Sequence, residues 1–137
     1  MNTNKNLTRA AVVVGGAIAG LIVWALALIA GGIQVALGGG TASDMPWWQA
    51  LAASLVVGGA GWALLAVLER ALGARARRIW TIVALVVVVI SLSGPIATSG
   101  ISAGDRVWLA LVHLALAAAY IPAMSRTAAV AAVPGRA

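Results

Sequence analysis

Long uncharged apolar stretches alternate with short polar segments along this chain of 137 residues. Four such stretches are present, and they cover residues 10–37, 47–68, 79–96 and 107–124. Each has at least about 18 residues, the length that a helix needs to cross a hydrocarbon core of about 30 Å. The pattern therefore predicts a single membrane domain, residues 1–137, with four membrane-spanning segments.

Backbone chemistry favours helices over strands for these stretches. The β-branched run 82–90 is also typical of a buried strand. In lipid, however, every backbone N–H and C=O must be bonded within the chain, which leaves only helices and closed barrels. Barrel strands alternate apolar and polar positions, and these stretches do not. Because the connecting loops are short, the sequence predicts an all-α integral membrane protein with four transmembrane helices in an up-down-up-down bundle.

The positions of the cations predict the orientation. Of the nine Lys and Arg residues, only Arg106 lies in a segment on the outer side of this arrangement. The positive-inside rule therefore predicts a multi-pass protein of the cytoplasmic (plasma) membrane with both termini in the cytoplasm. Trp47, Trp48 and Trp108 are expected in the outer interfacial belt and Trp80 in the inner one. Residues 1–8 and 127–137 lack apolar periodicity, and we expect mobile tails there.

Composition supports a lipid environment and excludes several classes of site. With 63% hydrophobic and 9% charged residues and a mean hydropathy of +1.05, the chain has too little polar surface to cover a soluble globule. The net charge of +6 is spread between apolar blocks and forms no basic face interleaved with aromatics, so nucleic acid is not an expected partner. The sequence contains no Cys, which excludes thiolate chemistry.

The acids are too few and too far apart for a catalytic pair. Asp44 and Asp105 precede the second and fourth helices, where we expect each to cap the first turn. Glu69 follows the second apolar stretch, and we expect it to pair with Arg70, Arg75 or a neighbour.

Small residues form the clearest periodic pattern. Gly16 and Gly20 form a GxxxG in the first helix, and Ala50, Ser54 and Gly58 recur every fourth residue in the second. Such stripes allow helix backbones to approach closely, either within one chain or between two copies. Gly94 and Pro95 are expected to bend or end the third helix.

Polar residues within the spans predict one layer. His113, Ser54 and Ser91 all lie about 10 Å from the outer boundary at 1.5 Å per residue. We expect a polar layer in which His113 bonds to Ser54, Ser91, Ser93 or a buried water. The layer is either a structural device or a site for a proton or ligand.

The loop between the second and third spans is basic. Arg70, Arg75, Arg77 and Arg78 lie in it, and we expect them to contact lipid headgroups.

Several segments also resemble a known family. These are WALLAVLER at 62–70, SLSGP at 91–95, LVHL at 111–114 and Ile121–Pro122. They resemble an uncharacterised actinobacterial family of short four-helix membrane proteins, a domain of unknown function. The resemblance implies the topology and no activity or site residue.

Three classes of function follow. A non-enzymatic accessory or interaction bundle accounts for every feature, with no catalytic, cofactor-binding or metal-binding residue predicted. A small oligomeric transporter or channel that uses the polar layer around His113 is the alternative. An intramembrane enzyme or haem protein is disfavoured, because one His cannot supply paired axial ligands and a dyad of Ser91 or Ser93 with His113 lacks a third member. The expected partners are a bilayer with anionic headgroups at the cytoplasmic face, and a second copy or another membrane protein.

Overall fold

The structure, a computed structural model, describes residues 3–30, 34–35, 43–44, 46–97 and 99–128. Its elements in chain order are α1 (Thr3–Ile29), β1 (Gln34–Val35), β2 (Ser43–Asp44), α2 (Trp47–Leu72), a 3-10 turn (Gly73–Arg75), α3 (Ala76–Ala97) and α4 (Ala103–Arg126). The strands β1 and β2 have two residues each and pair antiparallel, with Gln34 opposite Asp44. Apart from this pair the described elements are helical, so the predicted all-α fold is confirmed.

In the described part of the chain, three helical segments are long and apolar enough to cross a membrane, Asn4–Ile29, Trp47–Ala97 and Ala103–Arg126. The middle segment has 51 residues and comprises α2, the 3-10 turn and α3. It folds back on itself at Gly73, whose φ of 52° favours glycine and whose N–H bonds to the Glu69 carbonyl. After this turn the Trp80 indole N–H reaches the Gly61 carbonyl, at 2.8 Å.

The helix bounds differ from the apolar stretches at the beginning of the chain. The stretches 47–68, 79–96 and 107–124 lie inside α2, α3 and α4. In contrast, α1 begins at Thr3 and ends at Ile29, although the first stretch continues to residue 37. In the rest of this stretch Gln34 and Val35 form β1, and residues 31–33, 36 and 37 lie outside the described part of the chain.

The structure describes part of the segments that were expected to be mobile tails. Residues 3–8 form the first turns of α1, and Lys5 forms an ion pair with Glu69 there. At the other end Thr127 is bonded to Arg9. Residues 129–137 lie outside the described part of the chain.

Helix order around the bundle follows from the packing. Both α1 and α3 pack against α2 and α4. Contacts between the beginning of α1 and the ends of α2 and α4, such as Lys5 with Glu69 and Arg9 with Thr127, make α1 antiparallel to both. The small residues that the sequence singled out lie at these interfaces within one chain. Ala50, Ser54 and Gly58 are buried on α2, and a Cβ on Gly16 would contact Tyr120 of α4 at 3.5 Å.

Two clusters of buried side chains form the core. The larger cluster contains Leu65, Trp80, Tyr120, Met124 and Ala128 and lies where α2, α3 and α4 meet. The smaller one, Ala27, Ile101 and Leu109, joins the end of α1 to the beginning of α4.

The perimeter of the bundle is apolar. Large aliphatic side chains are exposed along the middle of every helix, including Ile22 on α1, Val56 on α2, Val89 on α3 and Leu111 on α4. Exposed surface of this kind on all sides fits a lipid solvent better than water.

Candidate functional site

A group of charged and polar side chains joins the beginning of α1 to the ends of α2 and α4. The Arg9 guanidinium donates to Glu69 Oε1 at 2.8 Å, to Thr127 Oγ1 at 3.0 Å and to the Thr127 carbonyl at 3.2 Å. Lys5 Nζ donates to the same Glu69 oxygen at 2.8 Å. We call Lys5, Arg9, Glu69 and Thr127 the Arg9 cluster, and the end of the bundle that contains it the arginine-rich end.

Because the Arg9 cluster is buried, we expect it to affect the stability of the bundle more than a surface ion pair would. Arg9 is only 3% exposed, while the Lys5 side chain is 33% exposed. A charge that is removed from water must be paired, because the penalty for leaving it alone amounts to several kcal/mol. Glu69 and Thr127 together pair the guanidinium, so the cluster fixes three helices relative to one another. The expected pairing of Glu69 with Arg70 or Arg75 is therefore wrong, since α1 brings its own cations to this carboxylate.

Two aromatic side chains connect the helices in the larger core cluster. Tyr120 Oη donates to the Gly58 carbonyl at 2.6 Å, and Trp80 Nε1 donates to the Gly61 carbonyl at 2.8 Å. Their ring centroids are 5.9 Å apart and the rings are tilted by 57°. The expected position of Trp80 in the inner interfacial belt is wrong, because its side chain is 1% exposed and its N–H is bonded within the core.

Close packing leaves little room for a side chain at two glycines of α2. A Cβ on Gly61 would lie 2.6 Å from Tyr120 Oη, and one on Gly58 would lie 3.0 Å from Cγ1 of Val13. Gly59, between them, has open space at the corresponding position. The close approach is thus confined to the face of α2 that turns inwards.

The predicted polar layer does not form through direct hydrogen bonds. His113 Nδ1 lies 2.7 Å from the Leu109 carbonyl, one turn back on its own helix. Each serine likewise donates to its own helix, Ser54 to Ala50, Ser91 to Val88 and Ser93 to Ile90. Ser54 faces α1, since a Cβ on Gly20 would lie 3.3 Å from its hydroxyl. A layer bridged by water stays a prediction.

The caps of α2 and α4 differ from the expectation for the two aspartates. Asp105 is the third residue of α4, and Ser102 is its N-cap. The two form a capping box in which the Asp105 carboxylate accepts the Ser102 N–H at 3.0 Å and Ser102 Oγ accepts the Asp105 N–H at 3.1 Å. At α2 the N-cap is Pro46 without a side-chain cap bond, so the expected capping role of Asp44 is wrong.

The arginines of the predicted basic loop lie around the turn between α2 and α3. Arg70 ends α2, Arg75 is in the 3-10 turn, and Arg77 and Arg78 begin α3. All four are exposed, and none forms an ion pair with an acid that the structure describes.

Within the described ranges, no group of three or more His, Cys, Asp or Glu residues is suitably placed for a metal ion. The same ranges contain no buried side-chain nitrogen or oxygen without a hydrogen-bond partner.

Comparison with known protein families adds one finding. Residues 2–130 match a family of unknown function (DUF6069). The chain belongs to this family. The resemblance to a domain of unknown function is thereby confirmed over nearly the whole chain. No curated protein and no solved structure matches this chain.

In this member of the DUF6069 family, sequence reasoning missed the Arg9 cluster and the Tyr120 bond. Lys5 and Arg9 are four residues apart and share one helix face, directly before the first apolar stretch. Glu69 lies directly after the second stretch. Antiparallel neighbouring helices bring these two ends together, so the signal for the cluster was present. The sequence indicated the Tyr120 bond more weakly. The single tyrosine lies on the same helix face as Ala117 and His113, which is the face expected to meet another helix.

Proposed function

We propose that this chain is a four-span protein of the plasma membrane that acts as a non-enzymatic interaction subunit. In this arrangement α1, α2, α3 and α4 each cross the bilayer once. The fold of the 51-residue segment back on itself supports two spans rather than one, because a straight helix of that length would be about 75 Å long. A hydrocarbon core of about 30 Å accommodates each half separately.

The orientation that we propose follows the charge. The arginine-rich end faces the cytoplasm, and the end with Trp47, Trp48 and the Ser102 cap faces outwards. Trp47 and Trp48 are 55% and 54% exposed in the first turn of α2, which suits an interfacial belt.

The functional proposal rests on the hydrogen-bond partners of the polar side chains inside the bundle. Arg9 and Glu69, Tyr120 with Gly58, and Trp80 with Gly61 all join one helix to another. His113 and the nearby serines bond to carbonyls of their own helices. All of these polar groups therefore have fixed partners within the bundle. In a transport pathway such groups would exchange partners, so the fixed partners favour a scaffold over a transporter. The apolar perimeter is then the surface that meets lipid or another membrane protein.

Photo-crosslinking in the native membrane tests this function. A photoreactive amino acid is introduced at exposed perimeter positions, Ile22 on α1, Val56 on α2, Val89 on α3 and Leu111 on α4, with buried Leu65 as the matched control. The proposal predicts a discrete crosslinked protein band from at least one perimeter position and none from Leu65. Crosslinks to lipid alone from all four positions would contradict an interaction role, while leaving the four-span topology intact.

A further inference from the structure

At the arginine-rich end, the cations of α1 and those around the turn between α2 and α3 form two separate groups. Lys5 and Arg9 share the Glu69 carboxylate, and Arg9 is almost fully buried. The other group consists of Arg70, Arg75, Arg77 and Arg78, which surround the turn between α2 and α3 and which we call the arginine patch. All four are exposed.

No acid of the described chain neutralises the arginine patch. The sequence contains three acidic residues in total. Glu69 is occupied by Lys5 and Arg9, and Asp105 belongs to the capping box at the opposite end of the bundle. Asp44 lies in β2, before the beginning of α2, and is therefore also distant from the turn that ends it. The patch thus carries four positive charges with no counter-charge from these acids.

The position of the patch selects its partner. The apolar perimeter reaches almost to the turn, where Val67 and Leu72 of α2 and Ile82 of α3 are exposed close to the arginines. Arg126, the last residue of α4, is also exposed. It lies at the same end of the bundle, because the next residue, Thr127, is bonded to Arg9. Exposed guanidinium groups directly beside an apolar perimeter are suited to the depth of phosphate headgroups.

We propose that the arginine patch binds the phosphate headgroups of acidic phospholipids in the cytoplasmic leaflet. This inference rests on the four-span topology proposed above. Guanidinium groups donate paired hydrogen bonds to phosphate oxygens, which adds geometry to the charge attraction. The Arg9 cluster contributes little, because its guanidinium is enclosed and already bonded.

The full-length chain reconstituted in nanodiscs provides the test. Discs of phosphatidylcholine alone are compared with discs that contain increasing fractions of phosphatidylglycerol, and native mass spectrometry counts the lipids retained by the protein. The wild-type chain is expected to retain phosphatidylglycerol preferentially. Each arginine removed from the patch should weaken the apparent affinity about fivefold.

Two matched variants each remove one positive charge from opposite ends of the bundle. Arg77→Gln lies in the patch, and Arg106→Gln lies near the beginning of α4. We expect Arg77→Gln to reduce the preference for phosphatidylglycerol and Arg106→Gln to leave it unchanged. The combined variant Arg75→Gln/Arg77→Gln/Arg78→Gln should lose nearly all preference, yet still incorporate into phosphatidylcholine discs as a monodisperse protein. Inorganic phosphate at millimolar concentration should not compete, because the headgroup is held beside the patch by its acyl chains.

Equal preference for phosphatidylglycerol in the wild-type chain and the combined variant would overturn the proposal. Equal losses for Arg77→Gln and Arg106→Gln would also overturn it, since that result indicates attraction by total charge alone. Displacement of the lipid by inorganic phosphate would identify a phosphate site instead of a lipid site. In each case incorporation into phosphatidylcholine discs reports separately on whether the chain is a membrane protein.

Discussion

The Tyr120 hydroxyl donates a 2.6 Å hydrogen bond to the Gly58 carbonyl and so joins α4 to α2. Gly58 also accommodates Val13 of α1, whose Cγ1 would lie 3.0 Å from an added Cβ. Three helices therefore meet at one glycine.

Tyr120→Phe removes this bond and keeps the ring that packs on Trp80. We expect a loss of about 1 kcal/mol in the free energy of unfolding, the usual contribution of one such hydrogen bond. Unfolding in mixed detergent micelles measures it. Ser93→Ala is the control, because its hydroxyl bonds only to Ile90 of its own helix, and it should have almost no effect. A loss for Ser93→Ala as large as that for Tyr120→Phe would contradict this account of the interface.

The two neighbouring glycines of α2 should respond differently to a methyl group. Gly61→Ala places a Cβ 2.6 Å from Tyr120 Oη, whereas Gly59→Ala meets open space. We expect Gly61→Ala to destabilise the bundle by about 1–3 kcal/mol through overpacking. Gly59→Ala should be neutral or slightly stabilising, because alanine favours helix. Thermal unfolding of the two variants side by side checks this, and equal melting temperatures would show that the inward face of α2 is not closely packed.

Glu69→Gln should be among the most damaging single substitutions at the arginine-rich end. It leaves the Arg9 guanidinium, which is 3% exposed, without its counter-ion, and we expect a loss of about 3 kcal/mol. Lys5→Gln breaks only the more exposed half of the same cluster and should cost less than about 1 kcal/mol. Denaturant titration of both variants in detergent gives the comparison. If Lys5→Gln proves as costly as Glu69→Gln, the burial of Arg9 is not what makes the cluster important.

His113→Leu tests what remains of the polar layer. The ring bonds to the Leu109 carbonyl of its own helix, so a leucine in its place should change stability by less than about 1 kcal/mol. Circular dichroism melting in detergent measures the change. A loss of several kcal/mol would instead indicate that His113 is coupled to Ser54, Ser91 or Ser93 through water, as the sequence suggested.

The sequence predicted the helices better than their contacts. The length of the apolar stretches alone identifies segments within α2, α3 and α4. In lipid a long isolated segment must satisfy its own backbone hydrogen bonds, which a helix does. The small-residue pattern also indicated the buried face of α2, at Ala50, Ser54 and Gly58. Both signals are local, and both depend on the composition of a single helix.

Pairings between helices were harder to predict, for a physical reason. Glu69 lies next to Arg70 in sequence, yet it pairs with Lys5 and Arg9, because adjacent side chains on a helix diverge and the antiparallel α1 approaches from the other side. Depth alone did not indicate that His113 bonds to the Leu109 carbonyl of its own helix, since residues at one level of a bundle can face different neighbours. The position of Trp80 was hard to predict for a similar reason. A tryptophan near a helix end can pack in the core as readily as at the membrane interface, and Trp80 is buried in the core.

We propose that four helices cross the membrane with the arginine-rich end in the cytoplasm, and cysteine accessibility is the decisive test of this topology. The chain has no native Cys, so single substitutions at the exposed positions Asn4, Ala74 and Ser99 can be labelled without background. With an impermeant maleimide on intact cells, we expect labelling at position 99 alone, and labelling at positions 4 and 74 only after permeabilisation. Labelling of position 74 from outside intact cells, or protection of position 99, would contradict it.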